Sequence, residues 1–457
     1  MSQPSGLPQP PAHVHFVGIG GIGQSGLARI LTAWGYRVTG SDAFPSELVE
    51  QLRLEGIDVQ IGHDETANAT AADLIVATAA VRATNSEIHA AKARGTPVIK
   101  RAELLGMLAN ARTCVAVAGS HGKSTTSGML VTALQATGRD PSYAVGAVIG
   151  STGTNAAPGS GEAMVVEADE YDYSFLWLKP ELAIITNVDY DHPDLFPDQA
   201  TYDRAFVRFA QGVRPGGVLV VNGDDPGVQR ILPSLRTQPA RVVTYGRSSG
   251  GNWRFDGAAV TGPDGQRIDL NLSVPGAHNL SNATAALIVM REMGLPLSQA
   301  AAGLAGYRGV GRRFDLKGEA SGVTVIDDYA HHPSEIAATI AAARERYPDR
   351  RIIAAFQPHT FSRTRALLEP FAETLSAADR AVVLDIYPAR ETDTLGVSSA
   401  DIARRMAPES TSLGGKPAQA VKQLANMVQA GDVILTLGAG DITLVGPKLL
   451  ALLEERS

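Results

Sequence analysis

VAVAGSHGKSTTSGM, residues 115–129, decides the architecture. Val115, Ala116, Val117 and Ala118 read as a short buried strand. Gly119 and Gly122 interrupt it, and a helix opens at Lys123-Ser124-Thr125-Thr126. A loop of this shape turns backbone N–H groups inward at a helix N-terminus, where unpaired donors and the helix dipole favour an anion. Lys123 adds a point charge suited to a β- or γ-phosphate, and the Ser124 hydroxyl can ligate Mg²⁺. Gly119, Ser120, His121, Gly122, Lys123, Ser124 and Thr125 therefore form the candidate phosphate cradle. Val117 stands where the strict G-x-x-x-x-G-K-[ST] pattern has its first glycine, so an ordinary turn containing Gly-Lys-Ser is the competing reading.

A second glycine-rich turn lies upstream in HVHFVGIGGIGQSGLARILTAWGYRVTGSD, residues 13–42. Residues 14–17 predict a strand, Gly18, Ile19, Gly20, Gly21, Ile22 and Gly23 a turn, residues 24–34 an amphipathic helix and residues 36–40 a strand running into Ser41 and Asp42. This is G-x-G-x-x-G in strand–turn–helix setting, with an acid about twenty residues on. By itself it points to NAD and an oxidoreductase. Its glycines only allow a backbone to approach a pyrophosphate, so a nucleotide-sugar diphosphate fits equally, as does a tight βα turn that holds nothing. Strand 73–77 follows, ending in Thr78, Ala79, Ala80 and Val81, with helices at 87–94 and 102–108 and a strand at 97–100. Alternating β and α spacing implies a parallel sheet with ligands at the strand C-termini. Residues 1–11 read as a loose tail and residues 106–113 as a linker.

At 457 residues the chain suggests about three domains of ~150 residues. It is 44% apolar and 19% charged, with 40 Lys+Arg against 47 Asp+Glu and a net charge of −7, which fits a globular protein with real cores and argues against a general nucleic-acid binder. Cys114 is the single cysteine, which excludes an internal disulfide and Cys-rich zinc sites and fits a reducing compartment. No Lys or Arg precedes Arg29 and no long apolar run occurs, so neither a signal peptide nor membrane insertion is expected, and the cytoplasm is the expected location.

Past the phosphate loop, strand 163–166 ends in Glu167, Asp169 and Glu170, and strand 182–186 ends in Asn187, Asp189, Asp191 and His192. An acid at a buried strand end beside a phosphate loop is where a magnesium ligand belongs. Magnesium prefers oxygen, so from chemistry alone His192 reads equally as a packed histidine. Residues 253–274 suggest a few antiparallel strands. His278, Asn279 and Asn282 open a helix, where Asn279 either caps it or joins the others at a purine edge. Residues 307–314 carry Arg312 and Arg313. Strands 323–326, 351–356, 381–385 and 433–437 end in polar clusters, among them Asp327, Asp328, Tyr329, His331 and His332, and then His359, Thr360, Arg363 and Arg365. They describe a second doubly wound sheet with a binding edge.

HFVGIGGIGQSG with GSD, AGSHGKSTT, VVEADE, ITNVDYDH, GAHNLSNATAAL, GRRFD, DDYAHHPSE, FQPHTFSRTR, DIYPARE and LTLGAGD together resemble the Mur ligases of peptidoglycan precursor synthesis, in the family's order and over nearly the whole chain. The resemblance implies an α/β protein of three domains: a Rossmann-like N-terminal UDP-sugar domain (1–112), a P-loop-type central ATPase domain (113–312) and a Rossmann-like C-terminal domain for the amino acid (313–457). It implies an ATP- and Mg²⁺-dependent ligase joining L-alanine to UDP-N-acetylmuramate, as a monomer or homodimer. Gly18, Ile19, Gly20, Gly21, Ile22, Gly23, Ser41, Asp42 and Thr78 would hold the UDP-sugar. Lys123 would face the transferred phosphoryl group, with Ser124, Glu167 and His192 on metal. His278, Asn279 and Asn282 would lie at the adenine, Arg312 or Arg313 near the phosphates, and Asp328 near the ribose. Tyr329, His331, His359 and Arg363 would face the amino acid and the sugar carboxylate, with His331 or His359 as the base. Several relatives carry a carbamylated lysine after the DH motif; no lysine occurs here between Lys179 and Lys317. EADEYD also resembles the murein tripeptide-recycling ligase, whereas GIGGIG and the lack of an insertion after EYD favour the alanine-adding branch.

Overall fold

The computed structural model describes residues 6–78, 81, 84–238, 240–247 and 252–456. Ala79, Ala80 and the first five residues of the expected tail lie outside them. Leu7 is buried, so the described start of the chain is packed rather than loose. The chain forms two compact units, one of residues up to Asp189 with Asp203–Leu272 and Ser281–Arg308, the other of Tyr190–Tyr202, Ser273–Leu280 and the residues from Gly309 onward. Among the described residues no helix is long and apolar enough to cross a membrane.

The first unit holds two sheets. In the five-stranded one the order is Asp58–Ile61, Arg37–Asp42, His13–Val17, Leu74–Ala77, Val98–Lys100, all parallel. His13–Val17 is the central strand, and all five of its residues are buried. The register sets Val17 beside Ser41 and Ala77, so Gly18–Gly23, Asp42 and Thr78 gather at one edge.

The second sheet has ten strands, centred on Leu182–Ile185, Thr113–Ala118 and Ala163–Glu167, which run parallel. Val117 pairs with Glu167 and Ala118 with Ile185, so the acid and the start of the phosphate loop emerge together. Trp253–Asp256, Ala259–Thr261 and Arg267–Asp269 form the antiparallel extension foreseen at 253–274. Cys114 is buried within Thr113–Ala118, and burial pushes its thiol pKa up.

Residues 106–113 do not form a linker. The helix Arg101–Asn110 runs through them and Thr113 already belongs to the next strand. Gly106 looks like a breaker in sequence, but a Cβ there would stand 2.7 Å from the Trp177 carbonyl oxygen, so its role is close packing. Asn110 completes the join, donating to Trp177 O at 2.9 Å and accepting from Lys179 N at 2.7 Å.

In the second unit six strands run in the order Asp315–Ala320, Val323–Asp328, Val433–Leu437, Ile352–Phe356, Arg380–Leu384, Thr411–Gly415, with the first antiparallel to its neighbour and the rest parallel. Asp327 and Asp328 sit inside their strand and are buried, not in the loop the sequence suggested.

Beneath the five-stranded sheet lies a buried polar network. The fully buried Glu87 carboxylate accepts from Ser41 Oγ (2.6 Å), His63 Nδ1 (2.8 Å) and Gln60 Nε2 (3.0 Å), and pairs with His15 Nε2 (2.9 Å). Desolvation opposes its charge, but these partners prevail and hold its pKa below the usual glutamate value. Glu87→Ala should cost about 3 kcal/mol in urea unfolding, because it strands buried donors. That loss should be full above about pH 5 and fade below it, since the carboxyl titrates lower in the folded state than in the unfolded. An unfolding midpoint equal to the parent's at pH 7 would show the network to be dispensable.

Candidate active site

In the first unit the phosphate loop forms as expected. Gly119 has φ +138° and a Cβ on it would stand 1.9 Å from Thr186 Oγ1, so no side chain fits. Gly122 is left-handed (φ 82°) at the N-cap of helix Lys123–Ala136. Thr186 and Asn187 fasten the loop from the next strand: Thr186 Oγ1 and Asn187 Nδ2 donate to the His121 carbonyl at 2.6 and 3.0 Å, and His121 N donates to Asn187 Oδ1 at 2.9 Å. Ser120 Oγ donates to Asp189 O at 2.7 Å, and His121 Nε2 lies 3.2 Å from Asp189 Oδ2.

Lys123 Nζ donates to Gly119 O (2.6 Å), Ser120 O (3.1 Å) and Glu170 Oε2 (2.8 Å), which uses all three of its protons. Burial disfavours its charge, but Glu170, Asp169 and Glu167 outweigh burial and hold its pKa above the usual lysine value. Ser124 Oγ donates to Glu167 Oε2 at 2.7 Å, and the same oxygen accepts from Gly146 N at 2.8 Å. A serine hydroxyl and a carboxylate oxygen at the mouth of a phosphate loop are the hard-oxygen pair that Mg²⁺ takes alongside phosphate oxygens. Thr125 is buried in the first turn behind them.

The glycine-rich turn hangs on the end of strand Arg37–Asp42. Gly18 N and Ile19 N both donate to Ser41 O (2.8 and 2.9 Å), and Gly20 N to Asp42 Oδ2 (2.8 Å). Ile19 is fully buried, so only its backbone faces the turn. The Ser41 hydroxyl is committed to Glu87 and the Asp42 carboxylate to the loop itself. A cavity of about 280 Å³ opens here, lined by Gly21, Ile22, Gly23, Gln24, Thr78 and Arg101 on one side and by Val145, Gly146, Glu167 and Asp169 on the other. It brings the glycine-rich turn and the Glu167 corner to one space.

The second unit carries the other cluster. Buried Arg363 grips buried Asp191 through Nε–Oδ1 (2.9 Å) and Nη2–Oδ2 (3.0 Å). Desolvation opposes the Asp191 charge, but Arg363 and the nearby histidines hold its carboxyl far below the usual range. His192, left-handed at φ 56°, places Nδ1 3.5 Å from Arg363 Nη2. Arg363 Nη1 lies 3.2 Å from His359 Nδ1, and an arginine only donates, so His359 accepts at Nδ1 and carries its proton on Nε2. His331 Nδ1 lies 2.9 Å from the Tyr329 carbonyl, which only accepts, so His331 keeps its lone pair at Nε2. Desolvation pushes both imidazoles down, His331 to about 3 and His359 to about 4, and both are neutral at pH 7.

Arg312 donates to Asp327 Oδ2 (2.9 Å) and Gly438 O (2.6 Å), and Arg313 to Glu335 Oε1 (3.0 Å). Both guanidinium carbons stack over Tyr329, at 5.0 and 5.3 Å from the ring centroid. Arg365 is exposed. His278 and Asn279 fall in the second unit and Asn282 in the first, all on helix Ala277–Glu292. Asn279 does not cap that helix through its oxygen; its amide donates back to Pro275 O. Burial, with Arg313, lowers the His278 pKa to about 4. Ser124 and Glu167 belong to the first unit and His192 to the second, so the three expected metal ligands do not meet within either unit. Glu170, Glu87 and Gln24 were not among the expected site residues; only Glu170 had a signal, its place beside Glu167 and Asp169.

The architecture is that of a three-sheet α/β protein whose middle sheet carries a phosphate loop. Family models described as the Mur ligase family catalytic domain, the Mur ligase middle domain and the Mur ligase glutamate ligase domain match residues 13–113, 117–290 and 312–440. The UDP-N-acetylmuramate--L-alanine ligase of Mycolicibacterium vanbaalenii is 43% identical over 99% of this chain and 98% of its own length. That of Mycolicibacterium smegmatis is 44% identical over 98% and 96%. Among solved structures, UDP-N-acetylmuramate-alanine ligase of Thermotoga maritima superposes with a TM-score of 0.79 at 27% identity, covering 98% of this chain and 100% of that one. The chain belongs to the Mur ligase family.

Asp328 supplies a pH test. Its buried carboxyl accepts from Phe314 N (2.8 Å), Ala330 N (2.9 Å) and Thr339 Oγ1 (3.2 Å). Desolvation still raises its pKa to about 6, against the pull of Arg313 and these bonds. The folded state therefore binds this proton more tightly than the unfolded state, and stability falls as pH rises through about 6. Moving from pH 7 to pH 5 should stabilise the protein by about 1 kcal/mol through this group, and Asp328→Asn should abolish that gain in denaturant titrations.

Proposed function

We propose that this chain is an ATP-dependent ligase that joins L-alanine to the lactyl carboxylate of UDP-N-acetylmuramate through an acyl phosphate. The observation that carries the reading is the shared cavity of the first unit, with a diphosphate-type glycine turn on one wall and the Glu167 corner of an ATP loop on the other. Full-length likeness to proteins named for that reaction supports it. We further assign residues 1–112 to the UDP-sugar, 113–312 to ATP and 313–457 to the amino acid, and place the enzyme in the cytoplasm. The NAD reading is disfavoured by that full-length likeness, since a glycine turn with an acid after it fits either ligand.

A carboxylate resists attack by an amine because its carbon is electron-rich and oxide is a poor leaving group. One lactyl oxygen attacks the γ-phosphorus, the bond to ADP breaks, and the acyl phosphate forms. The L-alanine nitrogen then attacks the acyl carbon, and the tetrahedral intermediate expels phosphate as the amide forms. The Gly119–Thr125 backbone orients the triphosphate, and Lys123 exchanges Glu170 for the γ-phosphoryl charge. Ser124 and Glu167 would hold Mg²⁺, which would supply further neutralisation of the phosphate oxygens. Of the two neutral histidines, His331 is assigned as proton acceptor because its Nε2 lone pair is uncommitted, whereas His359 spends its own on Arg363. Arg363 is assigned to carboxylate recognition, with Asp191 as its counter-charge.

Lys123→Ala should reduce phosphate release dependent on UDP-N-acetylmuramate and L-alanine by about a thousandfold or more, since it removes a charge that acts on the transferred group. Near-parental turnover would take Lys123 out of the chemistry. Offering the parent a panel of amino acids and a free tripeptide separates alanine addition from tripeptide recycling: the reading requires L-alanine to be the preferred nucleophile.

A further inference from the structure

The segments that follow strands Ile352–Phe356 and Arg380–Leu384 leave their sheet at the same edge, because Phe356 pairs with Val383. They stay joined beyond it: Tyr387 N donates to Pro358 O and Thr360 N to Tyr387 O, both at 2.8 Å. The His359 and Tyr387 rings stack there, with centroids 5.7 Å apart. A turn closed by Glu391 N on Pro388 O (2.9 Å) then returns the Glu391 carboxylate to the first segment. The carboxylate accepts from Phe361 N, from Ser362 N at 3.1 Å and from Ser362 Oγ. Just before these donors Thr360 has φ 66° and ψ 146°, a region left almost entirely to glycine. For a β-branched residue the strain is greater still, so surrounding contacts must enforce it.

We propose that Glu391 is a positioning residue for Arg363 and His359. The assignment rests on the ligase reading given above, in which Arg363 recognises a carboxylate. Among the described residues, the hydrogen bonds of the Glu391 carboxylate all go to residues 361 and 362, so it acts through the backbone turn. Arg363 follows directly. It is 4% exposed, and its two-point grip on Asp191 requires one direction of approach. The same guanidinium meets His359 Nδ1 at 3.2 Å, so the turn also governs which ring nitrogen of His359 carries the proton. The bridge to Tyr387 holds the chain as far as Thr360 N. Beyond it the Arg363 N bond to Thr360 Oγ1 is long at 3.4 Å, and the charged cap of Glu391 is the stronger restraint. Without that cap Thr360 relaxes to negative φ, the chain after it changes course, and the Arg363 fork leaves its line on Asp191.

The test uses the full-length enzyme and follows phosphate release as UDP-N-acetylmuramate, L-alanine and ATP are varied in turn. Arg363→Lys, which keeps the charge and loses the fork, identifies the substrate whose KM depends on Arg363. Glu391→Ala should raise that same KM by about tenfold and leave the KM for ATP at the parental value. Added to Arg363→Lys, it should change that KM by less than about twofold, since the geometry it protects is already lost. Glu391→Gln should stay within about threefold of the parent, because its oxygen can take the two backbone N–H groups while its nitrogen donates to Ser362 Oγ. Thr360→Gly combined with Glu391→Ala should recover most of the loss, as glycine accepts the positive φ without strain. Parental KM values in Glu391→Ala, additive losses with Arg363→Lys, or Glu391→Gln as damaged as Glu391→Ala would each overturn the assignment; so would a glycine at 360 that recovers nothing. A parent that releases no phosphate in response to UDP-N-acetylmuramate and L-alanine overturns the ligase reading and this assignment together. Normal parental turnover with any of the other failures overturns only the role of Glu391.

Discussion

A lysine ammonium buried to 13% side-chain exposure must be met by negative charge, and the first unit is built around that requirement. Glu170, at 1% exposure, supplies it, and the two carbonyls of the loop that Lys123 itself belongs to supply the rest. The arrangement explains why Glu167, Asp169 and Glu170 follow one another at the end of a single strand. One carboxylate, Glu170, holds the cation, and another, Glu167, accepts from the Ser124 hydroxyl. The missing first glycine of the strict motif is harmless here, because Val117 lies inside the strand and pairs with Glu167. The turn itself begins at Gly119, where Thr186 leaves no space for a side chain.

The second unit solves the converse problem. Arg363 and Asp191 neutralise each other in the interior, and Arg363 then sets the tautomer of His359 while the Tyr329 carbonyl sets that of His331. A buried ion pair of this kind contributes little net stability compared with an apolar replacement, but it fixes geometry. Here it commits one histidine lone pair and leaves another available, a distinction that follows from which neighbours can only donate and which can only accept.

Much of this was legible in the chain. The two glycine turns, the acids at strand ends and the doubly wound order of the sheets depend on local pattern: apolar runs of four or five residues, closed by glycine or charge. What was not legible depended on distant partners. Residues 106–113 read as a linker because nothing near Gly106 in sequence announces Trp177. Asp327 and Asp328 read as loop residues in sequence, whereas Arg312, Thr436, Thr339 and the N–H groups of Phe314 and Ala330 make them tolerable as buried acids. The edge strand Asp315–Ala320 is mostly exposed and carries no alternation to betray it. Glu87 looked like any acid in a first helical turn, and its four partners come from separate strands and loops. Nothing near Asp191 in sequence marks it for burial, because the arginine that pairs with it lies 172 positions away.

Cys114 leaves a practical opening. As the sole thiol of the chain, enclosed in a central strand and held far from its thiolate form, it is inert toward alkylating reagents while the fold persists. A cysteine engineered at any exposed position therefore becomes the single reactive handle, and a fluorophore or spin label can be attached there without first removing a native residue. Labelling of the unaltered chain, in turn, reports directly on how often that strand comes apart.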